Sequence, residues 1–226
     1  DDRRSLLSGL DRIQRDIDTQ GTLQGLDRFQ QQAFSTILGG VAKAFDLSRE
    51  DRQTLKRFDT APLVRPEEIS KKWNNYNNYV DNAKTLGKLL LLARRMCESG
   101  CGFVTVTTNV VWDMHSDVNN ATVEEGMQYM GWPLDYAVSA LIEDLESRGL
   151  DDRIMLVVTG EMGRTPKINA KGGRDHWGGL TPLMVYGGGL KGGQVIGQST
   201  SDAGAPASTP IRLEHLVATV MHNLLD

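Results

Sequence analysis

A chain of 226 residues with 39% hydrophobic content is long enough to bury a sizeable interior, as one large domain or as a core with a small accessory piece. Its 25 basic and 29 acidic residues give a formal charge of −4 and are spread along the chain, which excludes the basic footprint of a nucleic-acid binder or of a protein drawn to an anionic membrane. No apolar run approaches the roughly 20 residues that span a bilayer, and no apolar stretch of signal-peptide kind follows Asp1-Asp2-Arg3-Arg4.

Leu6, Leu7, Leu10 and Ile13, then Leu23, Leu26, Phe29, Phe34 and Ile37, recur at helical spacing among many polar residues and predict a helical, rather polar region. From Phe58 to Asn82, Pro62, Pro66 and Trp73-Asn-Asn-Tyr-Asn-Asn-Tyr79 break that period, as a surface connector does. Its amides and aromatic rings suit either sugar contacts or an ordered loop of stacked rings. Residues 1–82 are therefore expected to form the helical region and its connector, and residues 83–226 an α/β domain.

Thr85 can cap a helix carrying Leu86, Leu89, Leu90, Ala93 and Met96 and ending near Gly100. Cys97 and Cys101, too few for a disulfide framework and lacking a second pair for zinc, read as small buried thiols or a local disulfide. A strand is expected at Phe103 to Thr107. After a loop, Leu134, Val138, Leu141, Ile142 and Leu145 make one helical stripe with Gly149 as its stop. Ile154 to Val158 is a short continuous apolar run, as in a strand covered on both faces. Strand, helix and strand predict a right-handed βαβ unit in a three-layer α/β/α fold with a mostly parallel sheet, whose ligands gather at the carboxyl ends of the strands. A further strand is expected at Leu183 to Tyr186. The glycines from Gly187 to Gly193 lack Walker spacing and read as a turn, and a last helix starts at Thr209-Pro210 with His215 and His222 on its solvated side.

Three loops carry the polar residues that chemistry would use. Asp113 and His115 are two apart after the first expected strand, so their side chains share a face and suit either a divalent cation or, taken alone, a capping Asp and a hydrogen-bonded His. After the second strand, Gly160 and Gly163 let the chain turn and bring Glu161 and Arg164 into one crevice, where Arg164 either pairs with a carboxylate or grips a phosphate or sulfate. Next, glycine pairs bracket Arg174-Asp175-His176-Trp177. Asp113, His115, Glu161 and His176 are thus candidate ligands for zinc, manganese, iron or calcium. Arg164 and Asp175 are the candidate catalytic groups, offsetting charge or passing protons.

The run from Leu134 through Gly149-Leu150 to Gly163 resembles the C-terminal half of sulfatases and alkaline phosphatases. Leu91-Leu-Ala-Arg-Arg-Met96, Trp112-Asp-Met-His115, Gly160-Glu-Met-Gly-Arg-Thr-Pro166 and Gly173-Arg-Asp-His-Trp177 resemble, more closely, an uncharacterised bacterial sulfatase-like family of unknown function. This resemblance implies an alkaline-phosphatase-like domain, a metal-dependent hydrolase of phosphate or sulfate esters with a small-molecule or carbohydrate ester substrate, and an exported, periplasmic setting. Met162 stands where that superfamily has a metal-binding imidazole, and its nucleophile pattern is absent, Thr60-Ala-Pro-Leu-Val-Arg65 having the wrong spacing. The expectation is therefore a C-terminal half completed by an upstream segment, with a non-catalytic envelope protein binding an anion or carbohydrate as the alternative.

Overall fold

The computed structural model describes residues 42–109 and 111–225. The apolar repeats between Leu6 and Ile37 lie outside the described residues. Asp51 Oδ1 accepts from the backbone N–H groups of Gln53 and Thr54, each at 2.9 Å. Two donors that a helix start leaves orphaned are thereby satisfied, and α1 follows over Arg52–Arg57. Single 3-10 turns at Ala61–Leu63 and Pro66–Glu68 lead on to α2, Tyr76–Glu98. Tyr79, Ala83, Leu86, Leu90 and Leu91 are buried along α2, a recurrence of three or four positions that gives a helix one packed face.

α3 spans Val123–Arg148. Thr122 Oγ1 accepts from the Glu125 N–H at 3.1 Å, and Glu124 and Glu125 place negative charge on the positive end of the helix. Gly149, with φ of 62°, ends the helix in the left-handed conformation, and the Leu150 N–H closes back on the Leu145 carbonyl at 2.9 Å. The two long helices run in the same direction. Near their starts the rings of Tyr79 and Tyr129 lie 5.4 Å apart, and near their ends Arg94 meets Asp144 at 2.9 Å. The chain between them must therefore travel back along their length, through 102–109, before it reaches the loop that holds Asp113 and His115.

Two apolar clusters fill the space around this pair. One joins Ile69, Trp73, Tyr79, Met114 and Tyr129; the other joins Phe58, Leu86, Leu91, Leu141 and Leu145. Each large side chain fully removed from water in this way contributes about 1.5–3 kcal/mol before entropy is counted. Gly87 lets α2 rest directly on the preceding backbone, since a Cβ there would meet the Phe58 carbonyl oxygen at 1.9 Å. At the far end of the helix pair three guanidinium groups, Arg94, Arg95 and Arg148, interleave with the carboxylates of Glu50, Glu98 and Asp144.

The strands are β1 (Met155–Thr159), β2 (Gly163–Arg164), β3 (His176–Trp177) and β4 (Leu183–Gly187), followed by α4 (Leu213–Leu225). β1 pairs antiparallel with β4, Val157 opposite Val185, and β2 pairs antiparallel with β3. Tyr186 on β4 donates its hydroxyl to Glu146 of α3 at 2.9 Å, and Asn223 of α4 donates to the Gly188 carbonyl at 3.0 Å.

The three-layer α/β/α fold with a mostly parallel sheet is overturned by this topology: the described residues hold two small antiparallel sheets of two strands each. A right-handed βαβ unit needs a helix between paired parallel strands. Here the connection from β1 to β4 contains the β2–β3 hairpin instead, which brings the chain back antiparallel. Phe103 to Thr107 is not assigned as a strand, although Val106 packs on the helices. The continuous apolar run also misled. Ile154, Leu156 and Val158 pack against the helix pair, but all the residues from Ile154 to Val158 stay half-buried.

α4 packs through Leu216 and Val220, which are half-buried, while Leu213, Val217, Met221 and Leu224 are exposed alongside His215 and His222. Cys97 and Cys101 are free, half-buried thiols, and burial pushes the Cys97 thiol above its ordinary range. In the Asn-rich connector, Trp73 and Tyr79 are buried and the amides of Asn74 and Asn75 donate to those of Asn119 and Asn120 at 2.9 and 2.7 Å. These groups lock the connector onto the loop before α3. No helix among the described residues is long and apolar enough to cross a membrane.

Candidate metal centre

The site begins with three residues of alternating direction. Met114 is buried against α3, where Gly126 leaves room for its thioether, and this turns Asp113 and His115 together toward the opposite side. The segment from Asn169 to Asp175 lies along their backbone. The Arg174 N–H donates to the Met114 carbonyl at 2.9 Å, and Asn169 Nδ2 donates to the His115 carbonyl at 3.2 Å. Gly173 permits this approach, because a Cβ there would fall 2.1 Å from the His115 carbonyl oxygen. The first N–H of α3, on Val123, donates to the Gly172 carbonyl at 2.9 Å, so the same loop is tied to the helix pair.

Ser116 follows His115 with φ of 59°, a left-handed conformation that costs a residue with a side chain about 1–2 kcal/mol. Its hydroxyl offsets part of this by donating to the Lys171 carbonyl at 2.6 Å. Ser116→Ala keeps the strain and loses the bond, so it is expected to lower stability by about 1 kcal/mol. Ser116→Gly, which relieves the strain, should cost less. Thermal unfolding of the two variants gives the order directly.

The β2–β3 hairpin supplies the other half. Arg164 is the cross-strand neighbour of His176, which explains how residues twelve positions apart present their side chains to one place. His115 Nε2 lies 3.1 Å from His176 Nε2, His176 Nε2 lies 3.2 Å from Asp113 Oδ1, and Asp113 Oδ1 lies 3.8 Å from His115 Nε2. The circle through these three atoms has a radius of about 2.0 Å, matching the ~2.0–2.2 Å of zinc–nitrogen and zinc–oxygen bonds. A single divalent cation fits among them, with further coordination positions left for water or substrate. Two imidazoles and one carboxylate suit zinc, iron or manganese.

The surroundings favour that use. His115 Nδ1 faces Asp175 Oδ1 at 3.3 Å, and Asn169 Nδ2 donates to the same oxygen at 3.3 Å. A proton on Nδ1 directed at this carboxylate leaves Nε2 as the lone pair aimed into the triad, the usual outer support of a metal-ligating histidine. Arg164 pairs through Nη2 with Asp113 Oδ1 and reaches to 3.5 Å from His115 Nε2 through Nη1. Burial alone would raise the Asp113 pKa, but the hydrogen bond and charge of Arg164, with help from His176, hold it below the usual carboxylate range. One side of the site is open, His176 being about half exposed.

The sequence-expected ligands divide. Asp113, His115 and His176 meet within reach of one ion, whereas Glu161 is exposed in the turn between β1 and β2 and falls outside this group. Arg164 and Asp175 both border it. Asn169 was missed: its side chain bonds His115, Asp175 and the N–H groups of Lys171 and Gly173. Its place before Lys171-Gly172-Gly173 marks it only as a turn residue.

No curated protein and no solved structure matches the chain significantly. The resemblance to sulfatases and alkaline phosphatases is corrected as well, since the family that matches is one of unknown function and no sulfatase family matches. The sequence matches, over residues 1–225, the family described as protein of unknown function DUF1501. On that match, the chain belongs to the DUF1501 family.

Proposed function

We propose that the protein is a metal-dependent hydrolase of phosphate or sulfate esters, with Asp113, His115 and His176 as ligands and Arg164 as the group that grips the substrate anion. The observation that carries this is the triangle of three donor atoms sized for one cation, with a guanidinium beside it. A divalent ion bound there supplies Lewis acidity toward an ester oxygen. The chain's own groups do the rest. Asp175 holds the His115 tautomer, the Arg164 fork matches a tetrahedral oxyanion in two bonds, and the open side at His176 admits the ester.

Metal content of the purified protein, measured by elemental analysis, is expected at one zinc, manganese or iron per chain. His115→Ala and His176→Ala should each weaken metal binding by ~100-fold or more, beyond the 10–100-fold typical of outer-shell losses. Aryl phosphate and aryl sulfate should then be hydrolysed only by the metal-loaded wild type. A protein that takes up no metal sinks the proposal. One that binds metal and anion without turnover is a binding module instead.

A further inference from the structure

The guanidinium of Arg164 stands where a metal's charge would act. Its Nη2 is bonded to Asp113 Oδ1, the same oxygen that faces His176 Nε2 at 3.2 Å and completes the triad. Its Nη1 reaches His115 Nε2 at 3.5 Å. Arg164 is thus a cation in contact with the carboxylate and with one of the convergent imidazole nitrogens. We infer that Arg164 is a latch coupling two ligands: a divalent cation displaces it from Asp113, and a small oxyanion then binds between that cation and the freed guanidinium. This rests on the metal-site reading above.

Three physical points lead there. Arginine keeps its charge on the approach of a metal, so a dication and a guanidinium sharing one carboxylate oxygen repel each other. Relief comes from movement of the side chain or from an anion placed between the two charges. Movement is limited, since the Arg164 backbone is paired to His176 in the β2–β3 hairpin, so the fork stays beside the site after it leaves Asp113. Finally, an anion arriving before the metal would meet the Asp113 carboxylate and a guanidinium already engaged with it. Metal first, oxyanion second is the favourable order. Linkage then makes the effect mutual, the anion tightening the metal by the factor by which the metal tightens the anion.

The test is zinc affinity of the full chain by competition with a chromogenic chelator, with and without saturating inorganic sulfate. In the wild type, sulfate should tighten zinc by about fivefold or more, within the ordinary range of such couplings. Arg164→Gln, which removes the competing cation, should bind zinc alone up to about fivefold tighter than the wild type, the size of a modest charge-pair loss, and should show no response to sulfate. Arg164→Lys keeps the charge but not the fork, and should bind zinc like the wild type with a weaker sulfate response. Circular dichroism confirms that each variant is folded. Zinc affinity equal to or weaker than wild type in Arg164→Gln, or a wild type indifferent to sulfate, overturns the latch and leaves the ligand triad standing. Absence of zinc binding in both proteins overturns the triad and the latch together.

Discussion

Replacing Arg94 with methionine is expected to lower the unfolding free energy by about 3–5 kcal/mol, the usual cost of removing one partner from a buried ionic cluster. The Arg94 side chain is only 1% exposed and touches Glu50, Glu98 and Asp144. Its Nη2 lies 2.9 Å from Glu50 Oε2. Its Nε lies 2.9 Å from Asp144 Oδ2 as a charge contact off the hydrogen-bond line. Methionine fills much of the volume but leaves the Glu50 and Asp144 carboxylates short of positive charge, Arg95 and Arg148 being their remaining partners. Adding Glu50→Gln should recover part of the loss, and the non-additivity of the pair measures their coupling. Acid supplies a second check. Burial would raise the Glu50 pKa, but hydrogen bonds from Arg94 and Arg95 outweigh it and hold the group below its ordinary 4.5. A group lowered on folding contributes stability that is present above its unfolded pKa and lost as pH falls through the folded one. The gap between wild type and Arg94→Met should thus be widest above about pH 4.5 and narrow on acidification. Equal denaturant midpoints at neutral pH would show that the cluster does not hold the helix ends together.

The helices were legible from the sequence where their apolar stripes are regular and obscured where a local signal spoke against them. Leu86 to Met96 and Leu134 to Leu145 are read correctly as helix, but α2 starts at Tyr76 and α3 at Val123. Asparagine and tyrosine between Trp73 and Tyr79 look like loop by propensity, yet Tyr79 is wholly buried against Tyr129, and packing overrides propensity. Pro133 lies inside α3 and is buried, whereas proline ordinarily ends a helix. Thr122 and Glu125, three apart, carried a capping pattern that marks the true start. β1 and β4 were placed correctly, but a short strand does not state which neighbour it pairs with or in which direction. At the site, the spacing of Asp113 and His115 predicted one shared face because a two-residue alternation is local. The meeting of His176 with them depends on a hairpin register and on close backbone approaches, which side-chain chemistry in the sequence does not display.

Gly163 is where that register is most exposed to test. A Cβ at this position would lie 1.6 Å from the Leu180 carbonyl oxygen and 3.2 Å from that of Trp177, so an alanine cannot be accepted without moving backbone. The adjacent residue is Arg164, opposite His176, and any shift of β2 away from the 177–180 segment separates the guanidinium from the triad. Gly163→Ala should therefore abolish the sulfate response that depends on Arg164, a displacement of about 1 Å sufficing for an effect of this size, while zinc alone should bind no more weakly than to the wild type. The helix pair is built from other residues, so the far-ultraviolet helix signal should be retained. Gly178 is the control: it lies on the same stretch, is exposed, and a Cβ there meets nothing within 4 Å. Gly178→Ala should leave zinc affinity and its response to sulfate within about twofold of wild type, as surface changes away from such contacts usually do. Were Gly163→Ala as well tolerated as Gly178→Ala, the hairpin would not be what sets Arg164 against His176, and the site would have to be held from the Asn169 side alone.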